Sequence, residues 1–274
     1  MVDFIMNHIN DILSGVQNLG SGSQSLTQTP QSFNAALYNG VQTIHHSVVM
    51  PIAYVILGLI FTLELYNITI RTEGMHSHGF EIPFKTMFKL VICKLAVDST
   101  PLILGAIFQV SNQIIVNMGS VFASSSITLN TSKNIQQTIQ SMDFAVQLLT
   151  SVQVFVIWLI FKFATMAIML IILGRMIEIY VMMAIAAIPM VTMANADLSS
   201  IGKNFLKSFA AVCLQGVLIY IILSMYGLLV SSIGNNVNST DITSVLFQAL
   251  LYSLVLVMAI FSTGRISKSI CNAM

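Results

Sequence analysis

One stretch limits what this chain can become. Residues 152–194 read VQVFVIWLIFKFATMAIMLIILGRMIEIYVMMAIAAIPMVTMA, 43 residues with only three charges, Lys162, Arg175 and Glu178. As one helix at 1.5 Å per residue it would run ~65 Å. A bilayer core is crossed by about 20 residues. The stretch is therefore too long for one plain span and too short for three. It must cross once and then bend, re-enter or run on beyond the membrane. Irregular backbone and buried charge are tolerated at membrane depth only where protein or a cavity surrounds them.

Composition extends this reading to the whole chain. Of 274 residues, 56% are hydrophobic and 8% charged, against roughly 25% charged in soluble domains. Mean hydropathy is +0.86. The fold class expected is all-α: a polytopic helical membrane protein with about five spans plus interfacial or re-entrant helices. A net charge of +1 gives no global field for nucleic acid. The odd, scattered set Cys93, Cys213 and Cys271 fits packing thiols better than a disulfide framework or zinc site.

Taken in order, residues 1–47 read as an exterior segment. An amphipathic helix over 3–16 carries Phe4, Ile5, Ile9, Ile12, Leu13 and Val16 at helical spacing. It suits a membrane surface or a partner. It has no basic n-region and is expected to be retained. A Gly-, Ser-, Gln- and Thr-rich linker covers 14–34, and a short helix over 34–47 precedes the membrane. The transmembrane domain is expected over 48–262, with spans near 48–66, 101–122, 148–173, 208–231 and 244–262. Residues 175–194 form a helix that does not cross, and 263–274 form a tail. Pro101 after Thr100 reads as a helix restart, with Thr100 as N-cap. A rival second span over 87–108 would bury Lys94 and Asp98, and the sequence leaves the two registers open.

Basic charge sets the expected orientation. Lysines and arginines gather at Arg71, Lys85, Lys89 and Lys94, at Lys203 and Lys207, and at Arg265 and Lys268. None precedes Arg71, residues 123–143 hold one, Lys133, and residues 232–243 hold none. The positive-inside rule then puts the N-terminus outside and the C-terminus in the cytoplasm. The central stretch must cross an odd number of times, and its length permits one crossing. Gly174 would supply the joint before the non-crossing helix, and Pro189 a further break.

Four charges at membrane level or its boundary are candidates for function: Glu64, Lys162, Arg175 and Glu178. Arg175 and Glu178 stand at i, i+3 and can pair locally. Glu178 is 16 residues beyond Lys162, ~24 Å along a helix and on its far side. Lys162 would then need Glu64, Asp98, a neighbouring subunit or water in a cavity, or would snorkel outward. His45 and His46 read as interfacial polar residues. His76 and His78 lack further ligands for a metal, so neither metal nor cofactor is expected. The 17 methionines read as adaptable packing. With no P-loop, Rossmann fingerprint, HExxH or nucleophile elbow, the chain does not read as an enzyme.

Several segments carry a family resemblance. They are QTPQSFNAALYNGVQTIHHSVVMPIAYVILGLIFTLELY, RTEG at 71–74, CKLAVDSTPLI, and GRMIEIYVMMAIAAIPMVTMA followed by SSIGKNFLKSFAAVCLQG. In these the chain resembles the TrbL-like polytopic channel subunits of type IV secretion and conjugation systems, in the form found in Gram-positive mobile elements. The resemblance implies a channel or scaffold subunit for conjugative DNA transfer without a catalytic site. It implies a homo-oligomer in the bilayer, partner subunits including cytoplasmic ATPases, and transient contact with transferred single-stranded DNA. The competing readings are a secondary transporter for a small solute, suited by Lys162 and an interrupted helix, and a non-conducting scaffold that anchors ATPases through Lys203, Lys207 and the tail.

Overall fold

The computed structural model describes residues 2–21, 26–72, 81–122, 143–235 and 242–273. Among them every regular element is helical: α1 (Val2–Ser21), α2 (Pro30–Phe33), α3 (Ala35–Ile44), α4 (Met50–Thr72), α5 (Glu81–Asp98), α6 (Thr100–Phe122), α7 (Phe144–Ile185), α8 (Ala187–Val191), α9 (Ser199–Asn235) and α10 (Ile242–Ile270). A π-helical turn, His45–Val49, joins α3 to α4, and a 3-10 turn, Thr192–Ala194, follows α8. Five segments are long and apolar enough to cross a membrane: Ala35–Asn67, Thr100–Gly119, Phe144–Ile185, Ser199–Tyr226 and Leu250–Ile270. The fold is an all-α, multi-pass membrane architecture. Of the loops expected over 123–143 and 232–243, residues 123–142 and 236–241 lie outside the described residues, as does the His76/His78 pair, while 232–235 and 242–243 are helical.

Local chemistry explains the helix ends. Thr29 caps α2 by accepting from the Ser32 amide at 3.2 Å, with Pro30 in the first turn. Asn34 caps α3 through the Leu37 amide at 2.9 Å. These side chains fill donors that a helix start leaves open. Helix α3 is not a separate helix: the π turn carries it into α4, and the apolar helical segment that holds the expected 48–66 span runs from Ala35 to Asn67.

The joint expected at Gly174 is absent. Helix α7 runs through it for 42 residues without a break. Good helix formers on both sides, Leu173 and Arg175, keep the backbone helical, and no turn residue or proline competes. The interruption comes at Ala186, one residue after α7 ends. Pro189 has no amide to offer the Ile185 carbonyl, and its ring crowds that group. The ladder resumes at once, with the Met190 amide donating to the Ala186 carbonyl at 3.2 Å. Between α5 and α6 a turn at Ser99 interrupts the 87–108 register, again just before a proline. Thr100 is fully buried and donates back to the Ala96 carbonyl at 3.2 Å, so it does not serve as an N-cap.

The chain divides into two compact units. One comprises Met1–Thr27, Asn112–Gly174 and Gln215–Gly264. In it α7 buries Val154, Ile157, Phe161, Ala164, Ile168 and Ile172, a stripe at steps of three and four. Helix α1 buries Ile5, Met6, Ile9 and Ile12. Gln215 of α9 donates to Thr263 of α10 at 3.4 Å. Outward side chains of α7 and α10 are mainly apolar, among them Val152, Phe163, Met166, Val255, Met258 and Phe261. That surface suits lipid or other apolar helices and not water.

The other unit comprises Gln28–Ser111, Arg175–Leu214 and Arg265–Met274. One of its cores joins Val41, Leu104, Phe108, Met176, Ile179, Met183 and Phe209, among others. A second joins Val49, Ala53, Leu57, Val97, Ala187, Met190 and Val191. Gly202 marks a close approach. A Cβ there would lie 2.7 Å from the Pro189 carbonyl oxygen, so the first turn of α9 rests on the backbone of α8.

Candidate functional site

Charge in the second unit is organised around α5. Lys89 Nζ pairs with Glu64 Oε1 at 3.6 Å, and Asn195 Nδ2 donates to Glu64 Oε2 at 3.1 Å. Asn195 is buried, and its Oδ1 accepts from the amides of Asp197 and Leu198 at 2.8 and 3.3 Å. One side chain thus closes the turn into α9 and ties it to the far end of α4. A pocket beside this node is lined by Leu57, Ile60, Phe61, Glu64, Lys89, Leu90 and Ala194. Burial pushes the nearby Cys93 thiol up, and the Lys89 ammonium pulls it the other way.

Asp98 is likewise engaged within the unit. Tyr54 Oη donates to it at 2.6 Å and Lys94 Nζ pairs with it at 3.3 Å, four residues back on the same helix. Lys94 also sits over the Tyr54 ring at 5.8 Å.

Lys162 has a partner from a quarter the spacing argument did not weigh. Its Nζ lies 3.5 Å from Asp11 Oδ2 on α1 and 5.6 Å from the centroid of the Trp158 ring. Trp158 Nε1 donates to the same Asp11 oxygen at 3.3 Å. His8 rests edge-on against Trp158, with centroids 4.8 Å apart. At Gly15 the two helices come so close that a Cβ would meet the Phe161 ring. Helix α1, expected to lie on a membrane surface or a partner, packs its apolar face along α7.

Arg175 differs in every respect. It is 3% exposed. Its Nη2 reaches only the Met176 sulfur at 3.8 Å, and Nε and Nη1 have no hydrogen-bond partner. The local pair with Glu178 does not form. Arg175 turns inward beside Met176 and Ile179, whereas Glu178 is exposed, so the burial boundary passes between them. His45 is buried against protein, and its Nδ1 donates to the Ala184 carbonyl at 3.2 Å.

The other basic residues lie on the surface. Lys203 and Lys207 in the first turns of α9, and Arg265 and Lys268 near the end of α10, are exposed. The side chains of Arg71 and Lys85 lie outside the described residues. Pro101 stands in the first turn of α6. No group of three or more His, Cys, Asp or Glu suited to a metal occurs among the described residues. Sequence reasoning missed Asp11, Trp158, Tyr54 and Asn195. The one available signal was Asn195 itself, an Asn four residues ahead of a new helix.

No curated protein and no solved structure matches the chain. A family described as TrbL/VirB6 plasmid conjugal transfer like protein matches residues 16–187, more than half of the chain. With its five candidate spans, this protein belongs to the TrbL/VirB6 plasmid conjugal transfer-like family.

Proposed function

We propose that the chain is a membrane channel or scaffold subunit of a conjugative type IV secretion apparatus. Family membership over residues 16–187 carries the reading. The apolar outer faces of α7 and α10 support it, because they favour assembly within a bilayer over an independent soluble role. The orientation that best fits the basic residues has the N-terminus outside, one crossing near 148–173 and a cytoplasmic C-terminus. In that orientation Lys203, Lys207, Arg265 and Lys268 form a cytoplasmic basic surface. It suits anionic lipid, worth about 1 kcal/mol per residue, and docking by a cytoplasmic ATPase of the apparatus. Several copies would assemble around the transfer path, with transient contact to the transferred strand.

The test is genetic and topological. Deleting the gene from a donor strain should abolish DNA transfer to recipients, and a plasmid-borne copy should restore it. Wild-type mating frequency without the gene would reject the reading. A single cysteine at Ala196 or Lys203 should react with an impermeant reagent only from the cytoplasmic side. Reaction at Ala196 from outside would add a crossing and reverse the proposed tail.

The scaffold version has its own support in exposed Lys203 and Lys207. If it holds, changing both to Gln should release the ATPase from membranes and leave assembly of this subunit intact.

A further inference from the structure

Helices α4 and α5 lie side by side and are bridged at two levels. Lys89 meets Glu64 at 3.6 Å. Further along α5, Asp98 accepts from Tyr54, which lies before Glu64 on α4, at 2.6 Å. The helices are therefore antiparallel, and the two bridges are ~14 Å apart along their axes.

A groove opens between the helices at the Lys89–Glu64 bridge. Leu57, Ile60 and Phe61 of α4, Leu90 of α5 and Ala194 of the 3-10 turn line it, with Glu64 and Lys89 at one end. Leu57 and Ile60 are buried and form its floor. From Glu64 back to Leu57 the α4 wall runs ~10 Å toward the Tyr54 bridge. The expected crossing 48–66 and the apolar segment that ends at Asn67 both finish within one turn of Glu64. That puts the charged end at the level of lipid headgroups, and the apolar floor leads from there into the acyl region.

The charges along α5 are unequally satisfied. Glu64 accepts from Asn195 at 3.1 Å, and Lys94 donates to Asp98 at 3.3 Å. Lys89 has three N–H donors. At 3.6 Å from Glu64 it is beyond hydrogen-bond reach, and its side chain is 44% exposed. A half-exposed ammonium over an apolar groove matches a lipid phosphate followed by its acyl chain. A zwitterionic headgroup brings its own cation to that phosphate, and an anionic one does not.

We propose that this groove binds one anionic phospholipid, its phosphate on Lys89 and one acyl chain along Leu57, Ile60, Phe61 and Leu90. The groove is open along one side, so the lipid stays in the bilayer while bound. The site is separate from the basic surface of Lys203, Lys207, Arg265 and Lys268.

Tryptophan quenching tests this in the full-length chain, held in phosphatidylcholine nanodiscs. Trp158→Phe removes the one tryptophan, and Phe61→Trp puts a reporter on the groove wall. Dibrominated phosphatidylglycerol, added as a minor component, should quench it as if enriched about fivefold over its share of the bilayer, the ratio set by about 1 kcal/mol of attraction per lysine. Dibrominated phosphatidylethanolamine should quench it only according to its share. Lys89→Gln should abolish the enrichment, and Lys89→Arg should keep it. Glu64→Gln should keep it too, because the acid is not the ligand. A reporter at Met258→Trp, on the outward face of α10, should see each lipid at its share. Equal quenching by the two brominated lipids, an unquenched Phe61→Trp, or the same enrichment at Met258→Trp would each overturn the proposal. So would loss of the enrichment in Glu64→Gln, which would make the ion pair a structural support only. Displacement of the lipid by inorganic phosphate would assign Lys89 to a free anion instead. Nanodiscs present both leaflets and no readout involves DNA transfer, so the result stands apart from the orientation and the functional reading.

Discussion

Lys162 and Arg175 stand thirteen residues apart on one unbroken helix and are handled in opposite ways. Lys162 is half exposed, paired with Asp11 and laid over Trp158. Arg175 is buried with two nitrogens unfilled and no acid among its described contacts. An exposed ion pair contributes little, roughly 0–1 kcal/mol, because water already solvates both partners. A buried charge without a counter-charge costs several kcal/mol. Charge within an apolar helix is thus no uniform signal. Lys162 marks where another helix docks, and Arg175 marks a place where the fold holds a destabilising group.

Breaking the Arg175 side of this contrast should give the largest effect. Arg175→Met keeps the volume and removes the charge. It should raise stability by about 1–4 kcal/mol, as replacing buried ionic groups by hydrophobes often does. Thermal unfolding of the detergent-solubilised protein reads this directly. A lowered midpoint would mean that Arg175 has a partner in the assembled protein. Mating frequency measured on the same variant separates stability from function.

The turn that ends the same stretch offers the next test. Gly202→Ala puts a Cβ against the Pro189 carbonyl, a backbone atom that cannot rotate away. Overpacking of this kind costs about 1–3 kcal/mol. The variant should unfold at lower temperature, whereas Gly58→Ala, with open space around it, should not. Equal midpoints for the two would show that α9 does not rest on α8.

Asn195→Ala should cost about 1–2 kcal/mol, from the lost cap and the lost bond to Glu64. Asn195→Asp keeps the cap but places a carboxylate against Glu64. If the cap dominates, Asp is tolerated better than Ala; the reverse order would assign the larger share to the Glu64 contact.

The smallest effect belongs to the Lys162 pair. Asp11→Asn should shift stability by less than ~1 kcal/mol. Asp11→Lys should make α1 somewhat more sensitive to protease, and adding Lys162→Glu should restore its protection. No restoration would mean that the apolar stripe alone holds α1.

Much of this was legible in the sequence because it depends on local pattern. Apolar runs near 20 residues give spans, and Pro101 and Pro189 disturb helices wherever they stand, since a missing amide needs no tertiary context. The amphipathic pattern of residues 3–16 likewise shows that α1 must bury one face. Gly174 was misleading for a related reason. Freedom to adopt unusual angles is only permission, and with no competing turn the helical ladder continues through it.

Pairing of the charges was not legible. Spacing ranks only partners on the same helix, and it selected Glu178 for Arg175, which the inward turn of Arg175 prevents. Asp11 lies 151 positions before Lys162, and Asn195 lies 131 after Glu64. Such contacts are chosen by which faces pack, a property of several helices at once. The sequence by itself determined an all-α membrane protein of about five spans, because hydrocarbon demands long apolar helices whatever their neighbours. Only the tertiary structure decided that Lys162 meets an acid and Arg175 does not, because that outcome depends on which helix covers each side chain.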